Sequence, residues 1–210
     1  HQKNLEWKNE ENLFFRLSKY QEQIEAIILP KTQSFDFLAT LAPMIDFKHQ
    51  LVPLIETSRA IETVTQIAAF KDVVGLFFGA ADASASLGCK LAWEPLLYAR
   101  QRVVLAASMF NLFTIDAPYF YIDKMAGLKE EAEKVKNLGF TGKAAIHPDQ
   151  IDHINEAFSP SAEEKEEAKK VLEEYQKSGG GAIKVDGQMI DEPIAEAMRL
   201  KITLGEEEKD

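Results

Sequence analysis

The chain has 210 residues, a net charge of −10, and 46% hydrophobic against 28% charged residues. That balance describes a globular chain able to bury a core, and it excludes a general nucleic-acid or anionic-membrane binder, which needs a basic face. One cysteine, Cys89, excludes an internal disulfide framework and fits a reducing cytoplasm, and no apolar run reaches the roughly 18 to 20 residues of a membrane span.

The opening HQKNLEWKNEEN is polar and charged, wrong for a signal peptide, and begins with His instead of Met. The expectation is that this is not the native start. Residues 10–23 are expected to form a helix with Leu13, Phe14 and Leu17 on one face. IEAIILPK (24–31) reads as a buried strand stopped by Pro30, and 33–47 as a helix with Phe35, Leu38 and Leu41 inward. LVPLIE (51–56) is a strand, Thr57 to Phe70 a helix with Ile61, Val64 and Ile67 at helical spacing, and VVGLFFG (73–79) the next strand.

Leu91 to Asn111 reads as a helix whose start Pro95 interrupts, and LFTIDAP (112–118) as a short strand. Lys124 to Leu138 is a helix with Leu128, Ala132 and Val135 inward and Gly139 as its C-cap. GKAAIHP (142–148) is a strand ending in His147 and Pro148. Apolar strands alternating with helices imply parallel pairing, covered on both faces.

This order gives five strands, where a closed (β/α)8 TIM-type barrel needs eight and roughly 250 residues. The expected fold is therefore α/β: residues 1–158 as part of such a barrel with its first strands absent from this sequence. An open doubly wound sheet is the alternative, without a Gly-rich phosphate fingerprint to support a nucleotide-binding version. Residues 159–210 change character and are expected to form a C-terminal lid or arm, built as helix, hairpin and helix. Ser161 and Glu164 are placed for a capping box, Asp186-Gly187 for a hairpin turn, and Pro193 for the first turn of a final helix before an acidic tail.

Glu56 ends one apolar run and Asp82 follows the next. Acids at equivalent places in successive βα units are what a metal site at a barrel mouth needs. Two protein carboxylates suit Mg2+, or Mn2+, with waters and substrate oxygens in the other positions. Such an ion chelates a 2-oxo or 2-hydroxy acid. The Gly79-Ala80-Ala81 turn is small enough for its N–H groups to meet a substrate carboxylate. Read singly, each acid is also compatible with a solvated strand end, and the turn with a plain strand-to-helix connection. Lys31 lies at a strand's C-terminal end, where a barrel places function, although a solvated lysine is the simpler reading, and Cys89 reads as a buried structural thiol. Arg59, Arg100 and Arg102 read as structural residues on helical stretches.

PLIET, LFFGAADASASLG, WEPLLYARQRVVLAA, FTIDAP, GFTGKAAIHPDQI, AFSPSAEE and VDGQMIDEP, in this order and spacing, resemble the citrate lyase beta subunit family from Ile27 to about Leu204. The resemblance implies a magnesium-dependent (β/α)8 barrel that cleaves or forms carbon–carbon bonds in hydroxyacyl thioesters. Citramalyl-CoA and malyl-CoA lyases are relatives, and class II pyruvate aldolases are more distant ones. It implies Glu56 and Asp82 as metal ligands and the amides of Ala81 and Asp82 as the carboxylate site. It further implies Asp191 as an acid/base group reaching a neighbouring subunit, and His147 beside the CoA adenine. Asp191 also has the position of a helix N-cap, and His147 that of a structural residue. The family's first three strands, with an enolate-polarising Arg, have no counterpart in this sequence.

The expected function is thus a cytoplasmic lyase on a CoA or acyl-carrier-protein thioester, working as a homo-oligomer, a homotrimer by the family pattern. An aldolase acting on free pyruvate-type acids and a non-catalytic truncated subunit are the competing readings.

Overall fold

A computed structural model of the chain describes residues 24–44, 50–179 and 181–204. The helix expected at 10–23, the end of that expected at 33–47, and the acidic tail lie outside these residues. Two compact units separate, one within His1–Ile122 and Lys134–Ile146, the other within Asp123–Glu133 and His147–Asp210.

The first unit is built on five parallel strands, β1 (Ala26–Leu29), β2 (Gln50–Ile55), β3 (Gly75–Phe78), β4 (Phe113–Asp116) and β5 (Gly142–Lys143). Their order in the sheet is their order in the chain. A doubly wound sheet reverses strand order at its switch point, and among the described strands there is no reversal. All five C-terminal ends therefore lie along one edge. In β2, Pro53 removes one ladder donor. It sits at the last pair with β1, Leu29↔Pro53, between the Leu51↔Val73 bridge and the Leu54↔Phe77 pair on the β3 side.

Helices α1 (Phe35–Leu41), α2 (Ser58–Glu62), α3 (Val64–Ala68), α4 (Ala80–Leu87) and α5 (Trp93–Ser108) connect the strands, and α6 (Met125–Leu138) follows β4. Leu38, Ile61, Val64, Ile67, Leu96 and Val103 are buried, as are Leu51, Val52, Ile55, Leu76 and Phe78 on the strands. Burial on this scale supplies most of the folding drive, at about 25 cal/mol per Å² of apolar surface. Leu128, Ala132 and Val135 of α6 are buried as their spacing requires, and Gly139 caps that region with φ 102°.

Several sequence expectations need correction. The helix expected over 57–70 is two short ones, because Thr63 leaves helical geometry and its hydroxyl donates to the carbonyls of Arg59 and Gln33. The Gly79-Ala80-Ala81 turn is instead the start of α4, closed by Gly88 at φ 66°. Pro95 does not break α5. It lies in the first turn, where an N–H has no intrahelical acceptor to lose. The strand expected at 142–148 ends at Lys143, so His147 does not lie on it.

In the second unit a helix expected by no sequence pattern, α7 (Ile151–Phe158), follows the turn Pro148–Gln150. Next comes α8 (Ala162–Lys177), whose Ser161 and Glu164 form the full capping box. The antiparallel hairpin β6 (Ile183–Val185) and β7 (Gln188–Ile190) turns on Asp186 and Gly187, both at positive φ. The final helix is α9 (Glu192–Leu204). Val171, Leu172, Tyr175, Val185, Ile190 and Ala195 share one small core.

Candidate functional site

The C-terminal edge of the sheet carries two clusters of charge. The first forms where β1, β2 and β3 end. After β1 the chain enters a left-handed turn at Lys31, φ 56°, uncommon for a residue with a side chain. The turn lets the Lys31 N–H donate to Oε1 of Glu56 at 2.7 Å. Glu56 follows β2 directly and is buried. Asp82 follows β3 across Gly79-Ala80-Ala81, which is not a free turn. It lies in the first turn of α4, three residues past Gly79, where the helix dipole favours a negative charge.

The two carboxylates meet at one cation. The Lys31 ammonium donates directly to Oδ2 of Asp82, and it lies 3.5 Å from Oε1 of Glu56. The sequence places Lys31 at a functional strand end and favours a solvated lysine. Its side chain is indeed 59% exposed, yet it is paired on both acids. That hydrogen bond, followed by one with the Glu56 carboxyl, holds Asp82 below the ordinary carboxylate value, and Asp82 in turn raises Lys31.

Gly79 makes the approach possible. A Cβ built there would lie 2.7 Å from Cβ of Glu56, closer than real side chains approach, and 3.1 Å from its Oε2. The Gly79 N–H donates to the Ile55 carbonyl at 3.0 Å, which fixes the register that brings the two together. This donor set fits a small hard divalent ion. Two carboxylates already converge on one positive charge, and open solvent on the Asp82 side, 53% exposed, leaves positions for waters or substrate oxygens. Among the described residues no group of three or more His, Cys, Asp or Glu side chains is placed to hold a metal. Ala81 and Asp82 lie in the first turn of α4, where helix N–H groups have no intrahelical acceptor.

The second cluster forms where β4 and β5 end, and the sequence reading missed it. Asp116, the last residue of β4, is fully buried. Its Oδ1 accepts from Nε of Arg100 and its Oδ2 from Nζ of Lys143, each at 2.8 Å. Lys143 also donates to the Ala117 carbonyl at 2.6 Å. The Arg100 guanidinium lies 5.1 Å from the Phe78 ring centroid and 4.8 Å from that of Trp93. Its Nη1 is buried with no hydrogen-bond partner among the described residues. Each oxygen of Asp116 is thus paired with its own cation. An acid ending FTID and a Lys ending GK were visible in the sequence. Their pairing was not.

The other singled-out residues are placed as follows. Arg102 donates to the Glu62 carbonyl at 3.1 Å, and Arg59 is exposed on α2. Cys89 is half-buried, less enclosed than expected of a structural thiol. His147 precedes the turn Pro148–Gln150 and its Nδ1 accepts from the Asp149 N–H at 3.3 Å. Asp191 caps α9, its Oδ1 accepting from the Ile194 N–H at 3.3 Å. His147 and Asp191 belong to the second unit, the two charge clusters to the first.

Residues 9–148 match the family model described as HpcH/HpaI aldolase/citrate lyase. The chain is 33% identical over 204 residues to a human protein named mitochondrial citramalyl-CoA lyase, covering 85% of this chain and 59% of that protein. Among solved structures it is similar to RipC from Yersinia pestis, at 42% identity and a TM-score of 0.64, over 67% of this chain and 66% of that one. CitE from Mycobacterium tuberculosis, solved with magnesium, acetoacetate and coenzyme A, superposes with a TM-score of 0.77 at 31% identity. That match covers 87% of this chain and 68% of CitE. The chain thus spans well under the full length of the human relative.

Proposed function

We propose that this chain, which belongs to the HpcH/HpaI aldolase/citrate lyase family, is a magnesium-dependent carbon–carbon lyase. Its substrate is a hydroxyacyl thioester of the citramalyl-CoA, malyl-CoA or citryl type, and its products are an acetyl thioester and a 2-oxo acid. One observation carries this reading: Glu56 and Asp82, from adjacent βα units, converge on a single cation at the C-terminal edge of a parallel sheet. The CitE complex with magnesium, acetoacetate and coenzyme A supports the ligand class. The unreversed strand order supports placing the five strands within a (β/α)8 barrel, with residues 159–210 as its lid.

In this reading Glu56 and Asp82 hold Mg2+, with Mn2+ as a substitute. The ion supplies positive charge to the oxygen of a 2-hydroxy or 2-oxo acid. The first-turn N–H groups of Ala81 and Asp82 receive the acid's carboxylate and orient it. Water takes the substrate's hydroxyl proton, the freed O–H electrons form the carbonyl of the 2-oxo acid, and the electrons of the breaking carbon–carbon bond stay on the thioester fragment as its enolate. Asp191, from a neighbouring subunit, gives that enolate carbon a proton. Its cap on α9 holds the carboxyl in place meanwhile. His147 lines the groove for the CoA adenine. A group acting in trans requires a homo-oligomer, and a homotrimer is proposed. No helix of the described residues is long and apolar enough to cross a membrane. The cytoplasm is the proposed site of action, although the human relative is named mitochondrial.

The test incubates the protein and Mg2+ with a panel of hydroxyacyl-CoA esters and assays released 2-oxo acid. Release from at least one ester, reduced at least a hundredfold in Glu56→Gln, is expected. Release from free hydroxy acids but no ester would favour the aldolase reading, to which the matched family also extends. No release from any of them would favour a non-catalytic subunit.

A further inference from the structure

We infer that Lys31 is the resident cation of the Glu56–Asp82 site, and that a divalent ion binds there only by displacing its ammonium. This rests on the metal-site reading above and adds a residue that sets how tightly the ion is held.

The geometry carries the inference in three steps. First, the ammonium contacts the same two carboxylates a divalent ion would use, Oδ2 of Asp82 directly and Oε1 of Glu56 at 3.5 Å. An ion bonded to carboxylate oxygens at about 2.0–2.1 Å leaves no room for an ammonium on the same lone pairs, and the two positive charges repel. Second, the side chain is free to leave. It is 59% exposed on a flexible four-carbon stem, unlike Lys143, whose side chain is fully enclosed at Asp116. Third, leaving does not dismantle the site. The Lys31 backbone N–H holds Oε1 of Glu56 at 2.7 Å whatever the side chain does.

Without a divalent ion, the ammonium neutralises part of a carboxylate pair that otherwise repels itself. With one, it swings into solvent. Every binding event therefore breaks two ion pairs, and affinity is lower than the carboxylates alone would give.

Two measurements on the full chain test this. Mn2+ binding, followed by the loss of the free-ion EPR signal, is compared in wild type, Lys31→Met and Glu56→Gln. Lys31→Met keeps the backbone donor and removes the charge, so it is expected to bind Mn2+ roughly five- to tenfold more tightly, the effect of two exposed ion pairs. Independently of any variant, the amine-acylation rate of Lys31 is read by peptide mass spectrometry with and without saturating Mg2+. Exposed Lys71 serves as the internal reference. The Lys31 rate should rise at least twofold on adding Mg2+ while that of Lys71 stays constant.

Equal or weaker Mn2+ binding by Lys31→Met, or an acylation rate indifferent to Mg2+ in protein that binds Mn2+, overturns the inference and leaves the metal site standing. Wild type that binds no Mn2+, or Glu56→Gln that binds as well as wild type, overturns the metal-site reading and the inference together.

Discussion

Two charge clusters of opposite exposure to solvent stand along one sheet edge. The cluster at the ends of β1–β3 has two acids and one base, with Asp82 and Lys31 more than half exposed. The trio at the ends of β4 and β5 has one acid and two bases, with side-chain exposures of 4% for Arg100 and none for Asp116 and Lys143. Both began as an acid closing an apolar run. Burial separates their roles. In a low-dielectric interior an ion pair is locked, because either partner alone would leave an uncompensated charge. At a wet mouth a partner is exchangeable, because water screens what remains. The enclosed trio ties α5, β4 and β5 together. The open pair presents oxygens that can change cation.

The largest expected break in this contrast is Asp116→Ala. It strands two buried cations, so unfolding free energy should fall by about 3–5 kcal/mol, read from urea denaturation. A smaller loss, about 1–3 kcal/mol, is expected from Gly79→Ala, whose new Cβ must push Glu56 aside. Unlike Asp116→Ala, it should also weaken Mn2+ binding, because Glu56 is the group displaced. Asp82→Asn sharpens the contrast: its urea midpoint should fall only slightly, by the small contribution of an exposed ion pair and the helix dipole, while its Mn2+ affinity drops at least tenfold.

The smallest effect belongs to an exposed pair outside both clusters. Lys170 donates to Oδ2 of Asp186 at 2.8 Å, and this raises the lysine above its ordinary 10.5. A raised lysine stabilises the fold below its unfolded value and loses that contribution as pH rises through the folded one. The wild-type urea midpoint should therefore fall slightly more steeply above pH 10.5 than that of Lys170→Met, and 1 M salt should erase the difference.

Much of the fold was legible in the residues. The βα alternation, the capping box at Ser161 and Glu164, the Asp186-Gly187 turn and the buried spacing of Ile61, Val64 and Ile67 all follow from neighbours within a few positions. α4 was not legible because its buried positions are Ala80, Ala83 and Ser84, too small to mark an apolar face. The single helix expected over 57–70 failed at Thr63, whose hydroxyl has a partner as distant as Gln33. Within the site, Glu56 and Asp82 stood out by type and place. Lys31 stood out by place at a strand's C-terminal end, but its pairing did not, because an isolated lysine beside a proline gives no hint of partners 25 and 51 residues away.

The sequence by itself determined where most of the strands and the longer helices lie, because side-chain period and capping act over three or four residues. It also determined that acids follow two adjacent strands. Tertiary structure alone decided which charges share an environment. The register Ile55↔Phe78 sets Glu56 against Gly79, and the left-handed turn at Lys31 brings an ammonium to both acids. Enclosure turned Asp116 into a knot between Arg100 and Lys143. Coulomb energy depends on distance and on the surrounding dielectric, and neither quantity is written in the order of the residues.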